Sequence, residues 1–239
     1  MTSAIRIVLV DTQHPGNLGA SARAMKNMGL ESLLLVRPRS PAGPEASARA
    51  AGAADVLARA RIVATLDEAI GDCGPVFGTT ARPRSANWRV LDAREAAAEL
   101  AAATAARPAA VLFGGERNGL ANHELERCQA LIRIPCAAGY ESMNLAQAVQ
   151  VIAYEIRMAR LGGAAEAAAL PPATADEMRA LNGHLERVMA RSGFMHPGNA
   201  AQLGARVRRL IARAAPDDGE VRILRGWLAA LERGLRPAE

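Results

Sequence analysis

Lysine is nearly missing from this chain. Among 239 residues with 29 cationic side chains, Lys26 is the single lysine, so every other positive charge is a guanidinium, a planar and permanently charged fork of donors that suits phosphate. GC-rich coding yields the same Ala-rich, Arg-rich, Lys-poor composition, so the abundance of arginine and the net charge of +5 name no partner by themselves. Cysteine is scarce too. Cys73, Cys128 and Cys136 are odd in number and lack C-x-x-C spacing, and His14, His123, His184 and His196 are scattered, which leaves a reduced, metal-free, cytoplasmic protein as the expectation, with each thiol a small buried hydrophobe. No apolar run reaches 18 residues, and the N-terminus has no charged segment followed by an apolar one. Neither a membrane span nor a signal peptide is expected. At 50% hydrophobic and 22% charged residues, disorder and collagen-like repeats are excluded, and the length fits one domain with a small appendage.

What is present alternates. Apolar runs at Ile5 to Val10, Ser32 to Val36, Arg61 to Thr65, Pro75 to Gly78, Ala109 to Phe113 and Leu131 to Ile134 read as strands. Between them lie helical patterns at Asn17 to Met28, Pro44 to Ala60, Leu66 to Ile70, Asp92 to Ala106 and Asn122 to Cys128, with Asn17 the expected N-cap of the first and Gly29 its stop. This alternation predicts an α/β fold: a parallel sheet with helices on both faces. Leu145, Val149, Ile152, Ile156 and Ala159 give one apolar stripe to a helix over Asn144 to Leu161, which Gly162-Gly163 ends. A linker over 162–173 with Pro171-Pro172 follows, and then a small all-helical extension over 174–239, with segments at Thr174 to Arg191, Pro197 to Ala214 and Asp217 to Arg233. The first domain is thus 1–161.

In an open parallel sheet, ligands bind beyond the C-terminal strand ends. The loop after the first strand gives Asn17-Leu18-Gly19 and then Arg23, where a helix N-terminus could receive a phosphate. It lacks G-x-G-x-x-G, and no Gly-rich loop ends in G-K-[ST], so dinucleotide and P-loop sites are disfavoured. Gly78-Thr79-Thr80-Ala81-Arg82-Pro83-Arg84 pairs small residues with two arginines, and an exposed turn explains it as well as a ligand loop does. Phe113-Gly114-Gly115-Glu116 sets a carboxylate where backbone can approach closely, fit to hold a ligand or to orient Arg23. Ser142 and Asn144 stand at the entrance of the long helix, where plain capping is the alternative to a ligand role. No histidine stands beside Ser142 in a hydrolase-like motif.

Three ordered motifs now stand out: Asn17-x-Gly19-x-x-x-Arg23, Phe113-Gly114-x-Glu116-x-x-Gly119-Leu120, and Ile134-Pro135 through Ser142-Met143-Asn144-Leu145-Ala146. Together they resemble the SpoU-type ribose 2'-O-methyltransferases of the SPOUT superfamily. With His14-Pro15-Gly16-Asn17, Thr79-Thr80-Ala81-Arg82 and the tail around Gly193-Phe194 and His196-Pro197-Gly198, the chain is most similar to the bacterial enzymes that modify the ribose of cytidine or uridine at tRNA anticodon-loop position 32.

The resemblance implies a SPOUT fold with a C-terminal trefoil knot, although knots are close to absent among folds in general. It implies S-adenosylmethionine as cofactor, held by Thr79, Thr80, Ala81, Gly114, Gly115, Glu116, Ile134, Ser142, Met143 and Asn144, and no metal. It casts Arg23 and Ser142 as catalytic, with Asn17 and Glu116 in support, and implies a homodimer whose active site both subunits share. In the family the residue at Gly115 is often basic; here that side chain is absent. RNA contacts are expected at Arg23, Arg82 and Arg84, and at the tail cluster Arg206, Arg208, Arg209 and Arg213, for which a solvated helix face is the alternative.

Overall fold

The computed structural model describes residues 5–40, 43–81, 88–103, 107–162 and 172–235. Seven strands, β1 (Ile5–Val10), β2 (Ser32–Val36), β3 (Arg61–Val63), β4 (Val76–Thr79), β5 (Val90–Leu91), β6 (Ala109–Phe113) and β7 (Ala130–Ile132), form one sheet in the order β3-β2-β1-β6-β4-β7-β5. Every pairing is parallel. The near-continuous apolar runs are explained by burial on both faces. Along β1, Ile5, Ile7 and Leu9 enter one core while Val8 and Val10 enter the other, and β2 and β6 divide in the same way.

The first core is covered by α1 (Pro15–Asn27), α2 (Pro44–Ala50), α3 (Ala54–Ala58), α5 (Ala93–Ala103) and α7 (Leu145–Leu161), the opposite one by α4 (Leu66–Ile70) and α6 (Asn122–Leu125). The expected stripe of α7 faces inward: Leu145, Val149, Ile152 and Ile156 are buried. Gly29, at φ +74°, closes α1. The helix expected over Pro44 to Ala60 breaks at Ala51, whose φ of +47° no α-helix accommodates; a 3-10 turn over Ala51–Ala53 joins the two halves. The third strand stops at Val63, short of the expected Thr65, because the Thr65 hydroxyl caps α4 by accepting from the Glu68 amide. The two-residue β5 escaped notice because it is too short to show alternation.

At the C-terminus, α8 (Ala175–Arg191) and α10 (Asp218–Gly234) share a small core of Met178, Leu181, Val188, Val221 and Leu228, and α9 (Ala200–Ala214) packs the partly buried Ile211 against it. Capping boxes at Thr174/Glu177 and Asp217/Glu220 fix the starts of α8 and α10. The expected start at Pro197 moves to Ala200, since the Asn199 side chain accepts from the His196 amide and holds these residues in a turn. The bundle docks on the sheet domain: the amides of Ala175 and Asp176 donate to the carbonyls of Cys73 and Gly71, at 2.9 and 3.1 Å. Cys73 and Cys128 are buried; desolvation pushes the first thiol up to about 12 and raises the second as well, leaving both inert. Among the described residues, no helix is long and apolar enough to cross a membrane, and no cluster of His, Cys, Asp and Glu could hold a metal.

Candidate active site

The loops after β1, β6 and β7 meet through one hydrogen-bonded chain. Glu116 accepts from the Asn17 side-chain amide at 2.7 Å and from the backbone amides of Gln13 and His14 at 2.9 and 3.2 Å. Asn17 Oδ1 in turn accepts from Asn144 Nδ2 at 3.1 Å, and Asn144 Oδ1 accepts from the amides of Ala146 and Gln147. One residue from each motif is thereby locked to the next. Asn144 caps α7, as expected, and also joins this chain.

Asn17 is not the N-cap of α1. The helix begins earlier, at Pro15, with His14 as N-cap and no side-chain cap of its own, which places Asn17 inside the first turn. The capping oxygens come from Glu116, across the sheet. That also corrects two expectations about ligands: the helix N-terminus holds the protein's own carboxylate in place of a phosphate, and Glu116 orients Asn17, not Arg23. Burial raises the Glu116 pKa, but the hydrogen bonds from Asn17, Gln13, the Glu116 amide and His14 outweigh it and hold the carboxyl below its usual range.

Beside this chain lies an open cleft, with about 890 Å³ of atom-free space that is continuous with solvent. Thr79, Thr80, Ala81, Gly114, Gly115, Glu116, Ile134, Ser142 and Met143 all line it. Asn144 is not among the lining residues. The loop after β6 folds back on itself: Gly119, at φ +64°, donates to the Gly115 carbonyl at 2.8 Å, and a Cβ on Gly114 would lie 2.0 Å from the Gly119 carbonyl carbon. Thr79 donates its hydroxyl to the Leu112 carbonyl and Thr80 its amide to the Ile132 carbonyl, which ties the β4 loop to both neighbouring strands. Ser142 is exposed to the cleft and caps nothing.

Sequence reasoning missed Leu120, Ile132, Leu145 and Cys136 in the lining. Leu120 and Leu145 stood in the motifs without a ligand role, and Ile132 was legible only as strand. Cys136 departs from the expected buried thiol: it is half-buried and faces the cleft, donating weakly to the Ile134 carbonyl. Arg23 is exposed on α1 and does not line the cleft, and no described residue pairs with it. Arg82 and Arg84 lie outside the described residues. In the tail cluster Arg208 is spoken for: it pairs with Glu126 at 3.0 Å and with Glu186, pinning α9 to α6 and α8. Its role is docking, because two carboxylates already neutralise it. Arg206 and Arg213 are exposed and Arg209 is partly so.

Residues 4–154 match the SpoU rRNA Methylase family. The chain belongs to that family. Residues 176–239 of this SpoU methylase match a second family, the tRNA methyltransferase TrmJ C-terminal domain. It is 46% identical over 238 residues to the tRNA (cytidine/uridine-2'-O-)-methyltransferase TrmJ of Salmonella choleraesuis, covering 98% of both chains. Its fold is similar to the crystal structure of TrmJ from Z. mobilis, with TM-score 0.83 and 35% identity over 96% of this chain and 99% of that one. An AdoMet-bound rRNA methyltransferase from Sinorhizobium meliloti, 25% identical, superimposes with TM-score 0.53 over 66% of this SpoU methylase and 57% of its own chain.

Proposed function

We propose that this SpoU methylase transfers a methyl group from S-adenosylmethionine to the ribose 2'-oxygen of cytidine or uridine at position 32 of the tRNA anticodon loop. The observation that carries the reading is the Glu116–Asn17–Asn144 chain, which gathers all three motif loops around one cleft. Near-full-length similarity to TrmJ methyltransferases supports tRNA and a pyrimidine ribose as the substrate.

The cleft fits the cofactor. Leu120, Ile132, Ile134, Met143 and Leu145 offer an apolar bed for a purine ring, and the backbone at Gly114 to Glu116 and the Ser142 hydroxyl offer polar partners. Bound there, S-adenosylmethionine supplies an electrophilic sulfonium methyl. The residues of this chain supply alignment, an effect of up to about 7 to 11 kcal/mol in favourable intramolecular models. Asn144 is positioned through Asn17, and Asn17 through Glu116. Arg23 grips the target phosphate and stabilises the developing alkoxide; a guanidinium stays protonated at neutral pH and is a poor base. Near-normal turnover of Arg23→Lys would show that no planar fork is needed.

Arg23 reaches a cleft in this reading from a second copy of the chain. On α7, Tyr154, Met158 and Leu161 are exposed at 47, 44 and 63%, an apolar strip at i, i+4 and i+7. A homodimer packed through that strip, with the site shared between subunits, covers it. The same reading includes the family's trefoil knot, a cytoplasmic location with the tRNA, a domain of 1–161 and a separate helical unit of 174–239, whose independent core supports the division. RNA affinity falls as salt rises.

The test is the map of 2'-O-methyl sites in total tRNA with and without the gene. Loss at position 32 is expected; loss elsewhere reassigns the target, and no loss overturns the catalytic reading.

A further inference from the structure

Next to the loop that carries Glu116, two adjacent parallel strands end in the same unusual way. Asp11 follows β1 at φ +52° and Arg37 follows β2 at φ +49°, in the left-handed region that residues other than Gly, Asn and Asp seldom occupy. They pair with each other. Arg37 Nε and Nη2 donate to the two carboxylate oxygens of Asp11 at 3.2 and 3.1 Å, and Nη2 also reaches Glu124 Oε1 at 2.8 Å. Glu124 is 3% exposed, and its other oxygen accepts from the Ala121 amide at 2.8 Å, so the guanidinium is anchored to the start of α6. The backbone is held as well: the Asp11 amide donates to the Val36 carbonyl and the Arg37 amide to the Val63 carbonyl, at 2.9 and 3.2 Å.

The consequence appears at Gly115. A Cβ built on this cleft-lining glycine would stand 2.7 Å from the Asp11 carbonyl oxygen. The turned-over Asp11 backbone thus presses its carbonyl against the loop that carries Glu116. The space that a side chain at Gly115 would take is filled by the Asp11 carbonyl.

From this arrangement we infer that Arg37, with Asp11 and Glu124, is a positioning cluster for the cofactor site: the ion pairs hold Asp11 in its left-handed conformation, and the Asp11 carbonyl sets the height of the Gly115-Glu116 loop. Arg37 acts through Asp11 and touches neither cofactor nor RNA. The inference rests on the cleft binding S-adenosylmethionine. It makes the conformation of Asp11, more than its charge, the quantity that matters, and this separates it from a merely structural ion pair.

Calorimetry of S-adenosylmethionine binding to the full chain tests it, with circular dichroism as the check of folding. Arg37→Met and Asp11→Val, which removes the pair and resists positive φ, are each expected to weaken binding about tenfold, or about 1.4 kcal/mol. Asp11→Gly loses the carboxylate but accepts positive φ freely, and is expected to stay within about twofold of the parent. If Asp11→Val does not fold, Gly115→Ala takes its place, since its Cβ displaces the same carbonyl. Parent-like binding by Arg37→Met, or equal losses in Asp11→Gly and Asp11→Val, overturns the inference. A parent chain that fails to bind S-adenosylmethionine overturns the cofactor reading instead, a failure visible before any variant is made.

Discussion

At the residue scale, Glu116 joins the fold to the site. Its carboxylate serves as the cap that α1 lacks and as the acceptor that fixes the Asn17 amide, so one side chain sets both the start of a helix and the orientation of a neighbour. Glu116→Gln keeps the shape but puts an amide N–H against other donors, which is expected to lower stability by about 1 to 3 kcal/mol at neutral pH, read from urea denaturation. The pH dependence has a definite sign. A carboxyl whose folded pKa lies below its unfolded value stabilises fully above the ordinary carboxylate range and ceases to do so as pH falls through the depressed value. The stability gap between the parent and Glu116→Gln is therefore expected to narrow on acidification; a gap that stays constant from neutral pH to about pH 3 would show that the charge plays no part.

Elements show which parts of this molecule were legible in advance. The strands were, because burial on both faces leaves runs such as Ile5–Val10 almost wholly apolar, and α7 was, because one stripe faces one core. The start of α1 was not. Local sequence offered Asn17 as a cap, whereas the capping oxygens come from Glu116, about a hundred residues along the chain, which only the tertiary fold can bring there. The break at Ala51 was equally hidden, since alanine carries no mark of positive φ. The motif residues were legible as a set, yet which of them line the cleft, Ser142 but not Asn144, was not. Between elements, Gly19 has a role that sequence hinted at only as part of a motif. A Cβ there would lie 1.9 Å from the Ala46 carbonyl oxygen, so α1 and α2 touch backbone to backbone. Gly19→Ala must push α2 away and is expected to cost about 1 to 3 kcal/mol, with a fall in Tm of about 2 to 4 °C per kcal/mol by calorimetry.

For the whole molecule, the decisive features are the apolar surfaces that one chain leaves open. The tail helices bury a small core and are tied to the sheet domain by Arg208, yet leave Leu210, Ile223, Trp227 and Leu231 exposed, and the strip on α7 is open as well. Tyr154→Glu with Met158→Glu places like charges on that strip and, if the proposed dimer holds, is expected to give monomers in sedimentation analysis, with methylation lost and S-adenosylmethionine still bound, because in that proposal the cleft lies within one chain while Arg23 comes from another. A monomer that retains full methylation would remove the shared site from the proposal.

The order of strands also has a temporal side. The centre of the sheet is β6, seated between β1 and β4, with Ile5 paired to Ala109. A chain emerging from the ribosome can join β1 to β2 and β2 to β3 early, but the middle of its sheet stays open until Phe113 is made, and the cleft until α7 follows. Contacts so distant in sequence make for slow folding. During that interval β1 presents an unpaired edge to its surroundings, so the nascent protein is exposed to aggregation at the very strand from which its first motif later springs.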